Sequence, residues 1–160
     1  MNRAIELRNA SSADAGAIAA LWHSAWIDGH AEHVSEKVRA ARTPASFHIR
    51  TDKWITHFRV AMVGPMLMGF HLCKGNELSQ FYLASQVRGS GFAKAFIDDA
   101  EAAIKRDGHG RAWLACAVGN DRARRFYEKS GWAVTQTETL PFESVGAPVP
   151  IEIWRMEKAL

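Results

Sequence analysis

Arg88-Gly89-Ser90-Gly91-Phe92-Ala93-Lys94 joins a segment patterned as a strand, Glu77 to Leu83, to one patterned as a helix, Phe92 to Arg106. The first N–H groups of a helix have no partner within it, and the helix dipole gathers partial positive charge there. Glycines ahead of the first turn let an anion approach the bare backbone, so strand, glycine turn and helix together make a phosphate nest. A short G-x-G alone reads equally well as a plain tight turn. Two phosphate motifs are excluded. Phe92 follows Gly91 where a P-loop has Gly-Lys-Ser/Thr, and Lys94 stands where a dinucleotide fingerprint has its third small residue. The next strand, Arg111 to Val118, also lacks the acid that would bind a ribose.

On the N-terminal side of this turn the pattern is a meander. Phe58 to Val63 and Met66 to Cys73 alternate as strands around Gly64-Pro65, and Lys74-Gly75-Asn76 turns into the strand at Glu77. Earlier, Ile5 to Arg8 reads as a first strand. Ser11-Ser12-Ala13-Asp14 reads as a capping box for a helix to about Gly29, with Ala17, Ile18, Leu21, Trp22 and Ala25 on its apolar stripe. Ala31 to Arg42 is expected as a more polar helix stopped at Thr43-Pro44, and Ala45 to His57 as loop with a short helix. Beyond the turn, Ala93, Phe96, Ile97, Ala100 and Ile104 stripe the long helix. Arg111 to Val118 is expected as a strand buried on both faces, followed by a helix from Asp121 to Lys129 and strands at Ala133 to Leu140 and Val149 to Met156. The expected fold is α/β (α+β): one domain over 1–160, with a mixed, mostly antiparallel sheet of six to seven strands flanked by about four helices.

Lysine plus arginine number 20 against 17 for aspartate plus glutamate, a formal charge of +3. That excess is too small to mark a nucleic-acid binder, and none is expected as a partner. Cys73 and Cys116 stand far apart without CxxC spacing, which points to buried thiols in a reducing compartment. The start has no apolar signal core and no apolar run approaches ~18 residues, so a cytoplasmic protein without membrane contact is expected.

Two blocks of sequence carry a family resemblance. Arg88, Gly91 and Ala93 match R/Q-x-x-G-x-G/A, and Asn120, Ala123, Phe126, Tyr127, Gly131 and Trp132 match N-x-x-A-x-x-F-Y-x-x-x-G-F, with tryptophan at the last place. In this order, separated by a helix and a strand, they resemble the coenzyme-A signature of the GNAT superfamily of N-acetyltransferases. The element order agrees along nearly the whole chain, while Ala13 to His57 agrees only in outline. The resemblance implies acetyl-CoA as co-substrate, no metal, and direct acetyl transfer to an amine, with a small-molecule acceptor expected. It also leaves room for a coenzyme-A-binding regulator without turnover, or for acetylation of a protein N-terminus or lysine. Relatives often dimerise through their late strands, which marks Ala133 to Met156 as a candidate homodimer surface.

Site residues follow from the same resemblance. The backbone from Arg88 through Gly89, Ser90, Gly91, Phe92 and Ala93 to Lys94 would cradle the pyrophosphate, and Gly91 would admit it because a Cβ there obstructs the approach. The Leu83 N–H would polarise the thioester carbonyl. Tyr127 would give a proton to the departing thiolate, or else merely pack beside Phe126. Asn120 would bond the coenzyme, cap the next helix, or both. Glu77 would act as base through water, and reads equally as an exposed strand-edge charge.

The acceptor pocket is expected between the first helix and the meander, where Trp22, His23, Trp26, His30, His33, Phe47, His48, Trp54 and His57 concentrate. Trp22 reads as core, whereas Trp26 and His30, one turn apart, are candidates to face the acceptor. An aromatic, histidine-bearing mouth suits a small amine with an apolar body. His30 and His33 have helical spacing for a metal but no evident third ligand, so surface histidines are the simpler reading.

Overall fold

Among the described residues, seven strands and five α-helices form from these patterns: β1 (Ile5–Asn9), α1 (Ala15–His30), α2 (Glu36–Ala41), α3 (Pro44–Trp54), β2 (Phe58–Val63), β3 (Met66–Lys74), β4 (Glu77–Leu83), α4 (Phe92–Arg106), β5 (Arg111–Ala117), α5 (Asp121–Lys129), β6 (Ala133–Phe142) and β7 (Val149–Ala159). The structure, a computed structural model, describes residues 4–30, 32, 35–142 and 149–160, with backbone alone at 29, 30, 142 and 149. The strands make one sheet in the order β1-β2-β3-β4-β5-β7-β6, antiparallel throughout except where β4 meets β5.

The capping box ahead of α1 is present, and it first winds a short 3-10 turn at Ser12–Asp14. The Ser11 N–H donates to Asp14 Oδ2 at 2.8 Å, and Arg8 holds the same carboxylate through bonds of 2.8 and 2.9 Å. The next stretch differs from expectation. Where the sequence suggested loop with a short helix, α3 runs eleven residues. Pro44 is the reason: a proline ends the helix before it but also suits the first turn of the one that follows. The Thr43 side chain caps α3, accepting from the Ser46 N–H at 3.2 Å.

α1 and α3 cover one face of β1–β4. Trp22, Phe47, Phe58 and Phe70 lock together there, with Trp22 lying 5.5–5.9 Å from the other three ring centres. α4 covers the opposite face with Phe96, Ile97, Ala100 and Ile104, all fully buried. α5 lies on that second face beside β5 and β7, where Arg124 stacks 4.5 Å from the Trp154 ring.

One polar network crosses the α4 side of the sheet. Asp99 of α4 accepts from Arg59 Nε at 2.8 Å and Nη2 at 2.9 Å, and its Oδ2 lies 2.8 Å from Nε2 of buried His71. Burial alone would raise the Asp99 pKa, but bonds from His71 and Arg59 outweigh it and hold the carboxyl well below its usual range. Burial pushes His71 down against the pull of Asp99, which keeps the imidazole neutral near pH 7.

Two irregularities shape the centre of the sheet. Leu72 pairs with Gln80 while Cys73 pairs with Leu78, so Ser79 is an extra residue that bulges β4. Beyond it β4 and β5 part, leaving Glu77 opposite Trp113 as their register pair. The expectation that β5 is buried on both faces is therefore corrected. Ala112, Leu114 and Cys116 are buried against the α4 side, but Ala115 is exposed and Trp113 is only half-buried on the other.

Candidate active site

The parting of β4 from β5 opens a cavity of about 810 Å³ that runs through the sheet. That volume lies within the span of small-ligand sites. On the α4 and α5 side its wall is built from Ala93, Asn120, Ala123, Phe126 and Tyr127; on the α1 and α3 side, from Trp22, Trp26, Arg42, Arg50, Lys74 and Glu77.

The glycine turn closes the wide end. Gly89 and Gly91 have φ of 76° and 80°, in the left-handed region that disfavours any residue with a Cβ. A Cβ on Gly91 would meet no protein atom within 4 Å, so within the protein it is the backbone conformation that demands glycine here. The Arg88 N–H is already held by the Ser85 carbonyl at 3.3 Å, which removes it from the expected cradle. Ser90 closes a hydrogen-bonded turn over Arg88 and Gly89, and the N–H groups of Gly91, Phe92 and Ala93 follow it at the open N-terminus of a 15-residue helix, where no preceding turn of helix can accept from them. The flanking side chains are occupied otherwise. Ser90 Oγ donates to the Val87 carbonyl at 2.6 Å, Lys94 pairs with Asp98, and Phe92 stacks on Phe96 in the core. Arg88 reaches Asp28 at 3.0 Å, and Arg122 approaches the same carboxylate at 3.7 Å, so positive charge gathers at this mouth.

Backbone amides alternate sides along a strand. The Ala84 N–H donates to the Met68 carbonyl of β3 at 2.8 Å, so the preceding Leu83 N–H turns toward the gap beside β5. Gly69 makes this packing possible, because a Cβ there would lie 2.7 Å from Leu83 Cδ2 and 3.0 Å from the Tyr82 carbonyl oxygen.

Tyr127 sits inside the gap among Phe126, Phe81 and Trp132, with ring centres 5.4–6.4 Å away. The ring packs in the apolar cluster and also lines the cavity. Burial raises its pKa above the usual phenol range, reinforced by the neighbouring Cys116 and Tyr82, so the hydroxyl keeps its proton. Cys116 lies beneath α5 with its thiol pushed up to about 12, chiefly by burial, which suits a core thiol and not a nucleophile. Asn120 caps α5, its Oδ1 accepting from the Ala123 N–H at 3.3 Å, and it lines the cavity as well.

On the other side, Glu77 lines the narrow end of the gap beside Lys74. Trp26 is buried yet borders the cavity, while the His30 side chain and all of His33 lie outside the described residues. The expectation of a histidine at the mouth rests on His30, whose side chain lies outside the described residues. Among the described residues no histidine lines the cavity: His48 and His57 are exposed, and His23 packs on Phe47. Arginines line the cavity among the described residues. Arg42 is 4% exposed, and Arg50 stacks over Trp22 and Phe47 at 4.4 and 4.5 Å. Neither was a sequence candidate: Arg42 closes the polar helix ahead of Pro44, and Arg50 lies where only a short helix within loop was expected. With α3 recognised, Arg50 falls one turn from the buried Phe47.

Comparison with known proteins agrees with this geometry. The model of the acetyltransferase (GNAT) family matches residues 21–132. An uncharacterized N-acetyltransferase of Mycobacterium bovis is 38% identical over 63 residues, 39% of this chain, and the match spans about 40% of that relative's length. A GCN5-related N-acetyltransferase from Rhodopseudomonas palustris superposes with a TM-score of 0.76 at 22% identity, covering 100% of this chain and 99% of that one. The PaiA N-acetyltransferase of Thermoplasma acidophilum, solved with coenzyme A, gives 0.71 at 22% identity, covering 98% and 99%. With a family match across most of its length and the same fold throughout, the chain belongs to the GNAT family of acetyltransferases.

Proposed function

We propose that this protein moves an acetyl group from acetyl-CoA to a primary amine by direct transfer, with both substrates bound at once. The observation that carries the reading is the gap between β4 and β5, with the N-terminal amides of α4 at its wide end and the Tyr127 phenol within it. Acetyl-CoA supplies an activated thioester and a diphosphate. The amides of Gly91 to Ala93 hold the diphosphate, and Arg88 and Arg122 add positive charge beside them.

The Leu83 N–H, aimed into the gap, meets the thioester oxygen as negative charge develops on it, a contact typically worth ~3 kcal/mol. Glu77 takes the proton that the attacking amine must lose, through water, from the acceptor side of the sheet. Tyr127 gives its proton to the departing thiolate. A phenol held above pKa ~10 is a weaker acid than the thiol it forms, so the transfer depends on close placement rather than driving force. No side chain becomes acylated, and the inert Cys116 supports that.

Acceptor-dependent release of free coenzyme thiol from acetyl-CoA, followed across an amine panel, tests this reading. Thiol release that rises with acceptor concentration and saturates supports it. Coenzyme binding without release on any amine points instead to a binding regulator of the same fold.

A further inference from the structure

On the acceptor side the described cavity wall carries three cations, Arg42, Arg50 and Lys74, against one acid, Glu77. The cations at the coenzyme mouth, Arg88 and Arg122, are separate from these and share Asp28. An acceptor that was only a cationic amine would enter a wall of its own sign, and such a field disfavours it. The arginines are also built into the wall. Arg42 is almost wholly enclosed at the end of α2, and Arg50 is held by its two aromatic neighbours and by a bond from its Nε to the Ser46 carbonyl at 3.4 Å. Both guanidinium-bearing side chains line the same chamber as Tyr82.

We infer that Arg42 and Arg50 form a carboxylate subsite, and that the acceptor is a small amine bearing a carboxylate, an amino acid being the simplest class. This rests on the acetyltransferase reading for the amine but adds the second functional group. A planar carboxylate matches the paired N–H donors of a guanidinium, which a neutral or cationic group does not. Trp22 and Trp26 border the same chamber and give the body of the acceptor an apolar surface.

Two probes that differ only in the carboxylate test the subsite without requiring turnover: N-acetyl-L-phenylalanine and N-acetylphenethylamine, titrated calorimetrically into the protein saturated with coenzyme A. Binding of the carboxylate compound at least tenfold tighter is expected. Arg50→Gln and Arg42→Gln are each expected to remove most of that preference while leaving the neutral compound's affinity unchanged. Equal or undetectable binding of both probes by the wild-type protein overturns the inference, and so does a variant that weakens both alike. The wild-type comparison stands even if a variant folds poorly. Thiol release with phenethylamine as readily as with phenylalanine sinks the carboxylate subsite but leaves the acetyltransferase intact. A carboxylate preference with no thiol release on any amine supports the subsite and sinks the acetyltransferase reading.

Discussion

Glu77 and Trp113 form the register pair that joins β4 to β5, and from that point the two strands diverge toward Leu83 and Ala117. The bulge at Ser79 initiates the divergence, and Gly69 on β3 sustains it by letting Leu83 and Phe96 close over bare backbone. A gap in the middle of a sheet leaves strand edges unpaired, which a protein avoids unless something fills them. Here the unpaired edge is the site.

Gly69→Ala tests the packing behind the gap. The added methyl would lie 2.7 Å from Leu83 Cδ2 and 3.0 Å from the Tyr82 carbonyl oxygen, so the leucine must turn aside and the peptide carrying the Leu83 amide must give way slightly. We expect a loss of about 1–3 kcal/mol in stability by chemical denaturation. A weaker KM for acetyl-CoA should accompany it, because the Leu83 amide moves with that peptide.

Gly91→Glu should abolish stabilisation by acetyl-CoA in a thermal-shift titration. The substitution sets a carboxylate before the phosphate-facing amides and forces a non-glycine residue to φ near 80°, a strain of roughly 1–2 kcal/mol. The protein without coenzyme should still unfold cooperatively, since a side chain there meets no protein atom.

Tyr127→Phe should lower kcat by roughly 10²–10⁴-fold with little change in the affinity for coenzyme A, measured by calorimetry. Because burial raises the phenol's pKa, the native enzyme should show no loss of this acid from neutral pH to about pH 9. A fully active Tyr127→Phe enzyme removes the acid assignment while leaving the fold and coenzyme site in place.

Asp99→Asn leaves Arg59 and His71 without their shared carboxylate and should cost about 3 kcal/mol, or roughly 6–12 °C in Tm. The native protein should also be acid-labile. His71 has a lowered folded pKa, so its contribution is present above pH ~6.5 and declines as pH falls below that value. Asp99 and Asp14 have lowered carboxyl pKa values, Asp14 at about 2 through its bonds from Arg8, so their contribution is present above pH ~4 and is lost as pH falls toward 2. Denaturant midpoints measured from pH 8 to pH 3 should therefore fall in two stages.

Much of this design was legible in the sequence because it is local. Gly89 and Gly91 between a strand pattern and the stripe Phe96, Ile97, Ala100 and Ile104 locate the turn, and Asn120 with Phe126 and Tyr127 locates the second wall. The acceptor side was less legible. Pro44 was read as the end of one helix when it also begins another, so Phe47 was placed in the pocket region but Arg50, one turn on, was not. Arg42 and Ala115 reach the cavity only through packing between segments distant in sequence, which no spacing rule reports. Ala115 also sits within an apolar run that cannot reveal that one face of its strand opens onto a cavity.

The amides themselves give the most direct test. In a 15N-resolved NMR titration with acetyl-CoA, the largest shifts should fall on the N–H groups of Gly91 to Ala93 and of Leu83. Shifts concentrated elsewhere, with those amides unmoved at saturating coenzyme, would contradict the account.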